Sequence, residues 1–196
     1  MIPTSFTMTP IRDHFQESAQ LAQTILGDDA FMEAMDRAGQ TFIESLAGGH
    51  KILACGNGGS MCDAMHFAEE LSGRYREDRK PLAAVALSDP SVLTCIANDY
   101  GFDQVFSRQV QAIGKPGDAL LAISTSGNSE NVFQAAEAAR KLGMKVVALT
   151  GNGGGRLASV ADVHVCVPWT GYADRIQEVH IRCIHSWIDA IETAVA

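Results

Sequence analysis

The spacing of apolar residues predicts two helices at the N-terminal end of the chain. The first is stopped by Gly27, and one of its faces carries Ile11, Phe15, Ala22, Ile25 and Leu26. The second ends at Gly48 and Gly49, and its apolar set comprises Phe31, Ala34, Met35, Ala38 and Phe42. Such a pair can pack on its own subunit or serve an interface between subunits, and the sequence leaves both open. Residues 1–9 are predicted to form a loose polar start.

Beyond these helices, short apolar runs alternate with helical stretches. The runs span Lys51–Cys55, Leu82–Leu87, Ala119–Ile123, Lys145–Leu149 and Val163–Val167. The helical stretches span about Ser60–Tyr75, Pro90–Ala97, Asp103–Ile113, Ser129–Leu142, Arg156–Val160 and Tyr172–Val195. Strands that are apolar throughout and alternate with helices are typical of a parallel sheet covered on both faces. The pattern therefore predicts an α/β fold: a three-layer αβα sandwich with a five-stranded parallel sheet, preceded by two N-terminal helices and without a linker.

Composition and charge exclude several classes of protein. The 196 residues are 46% hydrophobic and 19% charged, which is typical of a globular protein. The formal net charge of -8 argues against a nucleic-acid-binding surface, which needs a basic stripe. The five cysteines are odd in number and lack a CxxC spacing, so we expect buried reduced thiols rather than disulfides or a thiolate zinc site. The chain shows neither a signal peptide nor a membrane span, so we expect a cytoplasmic protein.

The loops after the strands are the candidate ligand site, because ligands of open α/β sheets bind beyond the carboxyl ends of the strands. Three such loops are rich in glycine or hydroxyl groups, and they span Gly56–Ser60, Ser124–Ser129 and Thr150–Gly155. Neither GxGxxG nor GxxxxGK[ST] is present, since Met61 occupies the third glycine position of the former. In the first loop the backbone can approach a ligand closely, and Asn57 and Ser60 could bind sugar hydroxyls. The third loop is open to the simpler interpretation of a glycine turn.

The second of these loops predicts a phosphate site. It places four hydroxyls in a six-residue turn that opens a helix, those of Ser124, Thr125, Ser126 and Ser129. Free N–H groups and the positive end of the helix dipole attract anions at such a turn. An ordinary N-cap by Ser126 or Ser129 is the alternative interpretation, but a cap needs one hydroxyl and not four.

Ionisable side chains on two predicted helices suggest a metal or acid–base site. His66 and Glu70 stand at i and i+4 and share a helix face. Gln177 and His185 lie on the last helix, about 80° apart around its axis. These four make an N/O set suited to zinc or a similar divalent metal, although isolated histidines also occur as core or surface residues. Rival candidates on the last helix are His180 and Glu178. The second of these could instead pair with Arg182 at i+4.

Five short segments, spread over nearly the whole chain, carry a resemblance to a known family. They are Cys55–Ser60, His66–Glu70, Asn98–Asp99, Ser124–Ser129 and Arg175–Glu178. In these segments the chain resembles the bacterial phosphoheptose isomerases, which have the sugar-isomerase (SIS) fold. The resemblance implies one SIS domain of flavodoxin-like topology over residues 1–196, with residues 10–48 as an N-terminal helical extension. It also implies a cytoplasmic homotetramer with active sites at subunit interfaces.

The resemblance further implies an activity and a set of site residues. The activity is conversion of sedoheptulose 7-phosphate to D-glycero-D-manno-heptose 7-phosphate through an enediol, the first step towards ADP-heptose and lipopolysaccharide. The implied substrate contacts are Asn57, Gly58, Gly59, Glu70, Asn98, Asp99, Ser124, Thr125, Ser126, Ser129 and Gln177. The implied ligands of one zinc ion per subunit are His66, Glu70, Gln177 and His185. Glu70 and His185 are also the implied acid–base pair, and their order stays open.

Two other functions compete with this interpretation. Some SIS relatives are not isomerases and bind the bacterial replication initiator, but that group lacks the acid at the position of Glu70 and the histidine at the position of His185. Other SIS enzymes isomerise different sugar phosphates such as arabinose 5-phosphate, often with regulatory domains for which this chain has no residues left. Asp99 could assist ring opening or cap a helix or turn. Partners other than a small sugar phosphate and further copies of the chain, including nucleic acid and membrane, are not expected.

Overall fold

A five-stranded parallel sheet forms the centre of the computed structural model, which describes residues 10–195. Its strands are β1 (Ile52–Cys55), β2 (Ala84–Ala86), β3 (Ala119–Ser124), β4 (Lys145–Thr150) and β5 (Val163–Cys166). They lie in the order β2-β1-β3-β4-β5, and all neighbouring strands are parallel. The predicted α/β class and flavodoxin-like strand order are therefore confirmed. The loose start predicted for residues 1–9 lies outside the described residues.

Helices cover both faces of this sheet and make the predicted three layers. They are α1 (Ile11–Leu26), α2 (Asp29–Ala47), α3 (Gly59–Ser72), α4 (Pro90–Tyr100), α5 (Ser107–Ile113), α6 (Glu130–Lys141) and α7 (Ala173–Val195). Successive strand residues point to opposite faces. In β1, Ile52 and Ala54 pack with α2, α3 and α7, whereas Leu53 and Cys55 pack with α4, α5 and α6. Both faces of the strands are thus buried, which explains why the strands read as continuous apolar runs.

The two N-terminal helices lie against α7. The indole N–H of Trp187 donates to the carbonyl of Met35 in α2 at 3.0 Å. The guanidinium of Arg175 donates to the carboxylate of Glu17 in α1 at 2.7 Å. Only part of the apolar set of α1 is covered, because Ile25 is buried whereas other members are exposed. The exposed members are Ile11, Phe15 and Leu26.

Four predicted helices differ from the structure in type or by more than one residue in their bounds, and the one predicted over Pro90–Ala97 continues to Tyr100. The stretch predicted as one helix over Asp103–Ile113 is a 3₁₀ turn at Phe102–Gln104 followed by α5, because the fully buried Val105 and Phe106 anchor the chain between them. The predicted helix at Arg156–Val160 is a 3₁₀ helix, as is common for so short a segment. The predicted helix over Ser60–Tyr75 ends at Ser72, followed by Gly73. This earlier end frees the next segment to turn back towards α7.

The cysteines are unpaired, as predicted, but not all of them are buried. The five thiols are free, and Cys55 and Cys183 are buried. Burial raises the pKa of both these thiols to about 12. Cys62 and Cys95 are exposed, so the expectation of buried thiols is wrong for these two. They lie on α3 and α4 on sides that face away from the core. Between residues 10 and 195, no helix is both long and apolar enough to cross a membrane.

Candidate active site

The candidate site lies where the chain order of the sheet reverses, between β1 and β3. The loop after β1 and the loop after β3 meet there through two asparagines. The side-chain amide of Asn57 donates to that of Asn131 at 2.8 Å, and Asn131 donates back at 2.9 Å. The buried oxygen of Asn131 also accepts from the backbone N–H of Val132 at 2.9 Å. The first loop is therefore fixed to the start of α6.

The hydroxyl loop has the features of an anion site. The hydroxyls of Ser124 and Ser129 are 3.0 Å apart. Ser129 occupies the N-cap position of α6 but makes no side-chain capping bond. The hydroxyl of Ser126 accepts from the backbone N–H of Asn128 at 3.1 Å. Ser129 does not cap the helix, and Ser126 binds an N–H group of the turn before α6, so neither hydroxyl makes the N-cap bond of the alternative interpretation. The first N–H groups of α6 remain available to a ligand.

The loop after β4 forms a wall for the hydroxyl loop rather than an isolated glycine turn. Its Gly151 donates from N–H to the carbonyl of Thr125 at 3.1 Å. The N–H of Leu157 donates to the carbonyl of Gly127 at 2.9 Å. A Cβ atom on Gly127, whose φ is +64°, would overlap the carbonyl of Gly154. Glycine at position 127 is thus required both by the backbone conformation and by the closeness of the two loops.

Helices α3 and α7 run side by side and bring the predicted ionisable residues together. The Nε2 atoms of His66 and His185 are 3.0 Å apart. Glu70 Oε1 lies 3.6 Å from His66 Nε2. Glu70 is mostly covered, with 17% of its side chain exposed, and His66 is 33% exposed. These three groups are therefore partly shielded from water yet open to a ligand.

Gln177 lies at the N-terminal end of α3, beside the first loop. A Cβ atom on Gly59 would stand 2.5 Å from Gln177 Nε2, so the side chain lies directly over this glycine. Gln177 and His185 are on the same helix, and Gly59 and His66 are on the same neighbouring helix. The site therefore extends along the seam between α3 and α7, from the first loop to the histidine pair.

The donor atoms of the seam are compatible with a divalent metal ion. Two ligands of a tetrahedral zinc ion lie about 3.3 Å apart, given Zn–N distances near 2.0–2.1 Å. The separations of 3.0 Å between the histidines and 3.6 Å between His66 and Glu70 bracket that value. Glu69 adds a further donor: it lies 3.1 Å from His66 Nδ1, and together with His66 and Glu70 it forms a group whose ligand atoms lie within 4.8 Å of one another. A carboxylate on the second nitrogen of a histidine orients the ring towards a metal.

A carboxyl group near the pair modifies the electrostatics of the seam. Asp63 lies one turn before His66, and within residues 10–195 its buried Oδ2 has no hydrogen-bond partner. Burial raises the pKa of Asp63 to about 6, and His66 partly opposes that increase.

The rivals on α7 lie outside this seam. His180 is fully buried and its Nε2 lies 3.2 Å from the carbonyl oxygen of Thr150. Burial lowers the pKa of His180 to about 4, so the ring is neutral at pH 7. Glu178 is bound to Arg175 at 2.5 Å, not to Arg182 as the sequence allowed. Neither rival is therefore available to a ligand at the histidine pair.

Within residues 10–195, the side chains of Asn98 and Asp99 form hydrogen bonds on their own helix and not with the other predicted site residues. Both are exposed in the last turn of α4, and Asn98 donates to Asp99 at 2.7 Å. The only other hydrogen bond of Asp99 in the described part of the chain is from the thiol of Cys95, at 3.8 Å. The structure thus joins the first loop to the start of α6, places Glu70 beside the histidine pair and places Gln177 over Gly59.

Sequence reasoning missed two residues that shape the site, Glu69 and Asn131, and gave no specific argument for a third, Tyr75. Glu69 follows His66 at i+3, a helical spacing that the sequence displays. The ring of Tyr75 stacks on that of His185 with centroids 5.8 Å apart. Asn131 lies two positions after Ser129, but its pairing with Asn57 spans 74 positions. Only the contact of Glu69 could have been found from spacing.

Comparisons with known proteins identify the family of the chain. A family model described as SIS domain matches residues 14–151. A phosphoheptose isomerase from Edwardsiella ictaluri is 55% identical over 186 residues, which cover 95% of this chain and 96% of that protein. The solved phosphoheptose isomerase from Neisseria gonorrhoeae has a TM-score of 0.87 at 46% identity, covering 93% of this chain and 97% of the other. The one from Francisella tularensis has a TM-score of 0.89 at 39% identity, covering 95% and 100%. The chain therefore belongs to the phosphoheptose isomerase family of SIS-domain proteins.

Proposed function

We propose that this chain is an aldose–ketose isomerase that converts sedoheptulose 7-phosphate to D-glycero-D-manno-heptose 7-phosphate. The observation that carries the proposal is the position of Glu70 beside the pair formed by His66 and His185. A carboxylate and an imidazole at one point are the groups needed to remove and return a proton. The high identity to phosphoheptose isomerases over nearly the whole chain supports this substrate.

The chemical step moves one proton between neighbouring carbons. Removal of a proton from C1 of the ketose, with a proton added to the carbonyl oxygen on C2, gives an enediol. Return of a proton to C2, with loss of the proton from the hydroxyl on C1, gives the aldose. Glu70 acts as the base at C1 and His185 as its acid–base partner, although the same geometry allows the reverse order. Both must reach the reacting carbons within hydrogen-bond distance.

The hydroxyl loop holds the other end of the substrate. The phosphate binds at Ser124, Thr125, Ser126 and Ser129 and at the first N–H groups of α6. Asn57, Gly58, Gly59 and Gln177 contact the sugar between the two ends. Binding energy at the phosphate then fixes the reacting carbons at Glu70 and His185, which is how a remote group contributes to turnover.

Zinc is the proposed metal, held by His66, Glu70, Gln177 and His185. When bound, it would polarise the substrate carbonyl and stabilise negative charge on the enediolate. Glu70 then has two tasks, because it both faces the metal and moves protons. Loose coordination by this carboxylate would let it perform both.

Turnover in D₂O tests the proposed reaction. We expect proton NMR of the protein with sedoheptulose 7-phosphate to show an aldose product that carries deuterium at C2. Glu70→Gln is expected to abolish turnover without a change in thermal stability. Glu137→Gln makes the same change on α6 away from the site and is the matched control. A chelator arm, followed by zinc, tests the metal.

Two outcomes would contradict this function. Folded, zinc-supplied protein that gives neither product nor exchange would exclude the isomerase and favour a binding role of the initiator-binding type. Turnover of arabinose 5-phosphate in preference to the heptose would assign a different sugar phosphate. Substantial kcat in Glu70→Gln would remove Glu70 from proton transfer but leave the reaction.

We further propose that copies of the chain assemble, as a homotetramer, through the surface formed by α1, α2 and α7. An apolar groove of about 590 Å³ lies there, lined in part by Ile25, Leu26, Met32, Met35 and Trp187. Beside it, Phe15 is 74% exposed and Ile11 is 68% exposed. Exposed apolar patches of this kind mark association surfaces.

A further inference from the structure

Two buried side chains of opposite charge lie beneath the proposed catalytic pair. Arg79 follows α3 and Glu192 belongs to the last turns of α7. Arg79 Nε donates to Glu192 Oε2 at 3.3 Å, and only 2% and 8% of the two side chains are exposed. A buried ion pair contributes little net stability, because loss of hydration offsets the attraction. What the pair does for the positions of the neighbouring elements is therefore more informative than its contribution to stability.

Arg79 binds the end of the helix that carries Glu70. Its guanidinium donates to the carbonyl of Glu70 at 2.7 Å and to that of Leu71 at 2.8 Å. Carbonyls in the last turn of a helix have no partner within the helix, and a cation there also complements the helix dipole. The backbone of Glu70 is thus held by the same guanidinium that binds α7.

Glu192 binds the segment that follows α3. Its Oε1 accepts from the backbone N–H of Glu77 at 2.6 Å and from that of Arg76 at 3.3 Å. The bond from Glu77, opposed by burial and aided by Arg79, lowers the pKa of Glu192, so the group is charged at neutral pH. The segment held in this way carries Tyr75, whose ring stacks on His185. Glu192 thus holds both the side chain of Arg79 and the segment that places Tyr75 against His185.

We propose that Arg79 and Glu192 are positioning residues for the isomerase, an inference that rests on the function proposed above. They join α3 to α7 and so set the distance between Glu70 and His185, and they hold Tyr75 against the imidazole. Neither reaches the substrate. A displacement of about 1 Å between reacting groups can cost a hundredfold in rate, so a loosened pair should lower kcat more than it changes substrate binding.

The test compares two buried carboxylates. Glu192→Gln keeps an oxygen for the N–H groups of Arg76 and Glu77 but places an N–H donor against Arg79. Asp118→Asn is the matched control: its buried carboxylate also binds a cation, Lys51, and two backbone N–H groups, but at the opposite end of β3. We expect Glu192→Gln to lower kcat about 10–100-fold with KM within about threefold. Asp118→Asn should lose comparable thermal stability and keep kcat within about twofold.

A second variant protects the test against misfolding. Arg79→Lys keeps the positive charge, but a single ammonium group cannot bind the carbonyls of Glu70 and Leu71 and the carboxylate of Glu192 together. We expect it to lower kcat less than Glu192→Gln does. The double variant should be no worse than the poorer single one, because the two residues act as a unit. Wild-type kcat in Glu192→Gln would overturn the inference, as would unfolding of both single variants, which would make the pair a requirement for folding. An inactive wild type would instead refute the proposed function, and the inference with it.

Discussion

At the scale of single residues, Asn131 acts on the proposed sugar site through Asn57. It is buried and holds the side chain of Asn57 by two hydrogen bonds, of 2.8 and 2.9 Å. Asn131→Asp keeps the shape but removes the donor to Asn57 and adds a negative charge beneath the hydroxyl loop. We expect the KM for the sugar phosphate to rise about tenfold or more, since a buried unpaired polar group and a repelled anion each cost about 1–3 kcal/mol.

Steady-state kinetics checks this expectation, with Gln134→Glu as the control. That variant makes the same change of amide to carboxylate on α6, where the side chain of Gln134 donates to Glu130 one turn earlier in the helix. An equal rise in KM for both variants would show that the charge alone matters and not the hold on Asn57.

His180 predicts how stability depends on pH. Burial lowers its pKa to about 4 in the folded chain, against 6.5 for an ordinary histidine. Between these values the unfolded chain binds the proton and the folded chain does not, so the free energy of unfolding falls as the pH falls. The loss from this group amounts to about 3 kcal/mol between pH 7 and pH 4. His180→Gln, which keeps a donor for the carbonyl of Thr150, should flatten this dependence. Urea titrations at several pH values measure it, and parallel slopes in the two proteins would refute the assignment.

The sequence indicates individual site residues where their type and local spacing already state the chemistry. Four hydroxyls in one turn, and His66 with Glu70 at i+4, are local signals of this kind. Glu70 and His185 are far apart in the chain, so their meeting follows only from the packing of α3 on α7. The same holds for Asn131 and Tyr75, whose contacts join distant segments. Such residues become visible only when the fold brings their partners together.

At the scale of elements, the site depends on how closely α7 approaches the start of α3. Gly59 is the first residue of α3, where alanine suits the backbone, but its Cβ would stand 2.5 Å from Gln177 Nε2. The flexible end of Gln177 can move, so Gly59→Ala should leave thermal stability within about 1 kcal/mol. The displaced amide should nevertheless cost more than about tenfold in kcat/KM.

Gly127→Ala makes the contrasting change between two loops. There a Cβ would meet the backbone of Gly154, which cannot move as a side-chain end can. With φ at +64°, this variant should lose both stability and activity. Thermal melts and kinetics on both variants distinguish the cases. A large loss of stability in Gly59→Ala would show that Gln177 is held rigidly from its other side.

The elements themselves could be predicted because each has a local signature. Strands buried on both faces appear as continuous apolar runs, and amphipathic helices show their period. For the short segments at Phe102–Gln104 and Arg156–Val160 the sequence predicts a helix but not that it is a 3₁₀ helix. The tighter turn is selected by contacts with distant parts of the fold, which the periodicity of the sequence does not show. The end of α3 at Ser72 likewise depends on Arg79 and Glu192, which draw the following segment back towards α7.

At the scale of the whole molecule, the helix pair that precedes the sheet exposes apolar surface that packing within the chain does not cover. The groove between α1, α2 and α7 is apolar, and Phe15 and Leu26 expose 74% and 67% of their surfaces. Burying two such side chains in a second copy would gain about 1.5–3 kcal/mol each. Phe15→Glu combined with Leu26→Glu should therefore dissociate the assembly, with the mass measured by light scattering falling towards that of one chain.

Activity should fall with the assembly if neighbouring copies complete each site. Ile113→Glu is the control, since Ile113 is 40% exposed at the end of α5 on the other side of the sheet. It introduces the same charge without touching the groove, so both mass and kcat should persist. A dissociated but fully active double variant would show that one copy holds a complete site. Unchanged mass would place the interface elsewhere, and the exposed Phe15 and Leu26 would then need another partner.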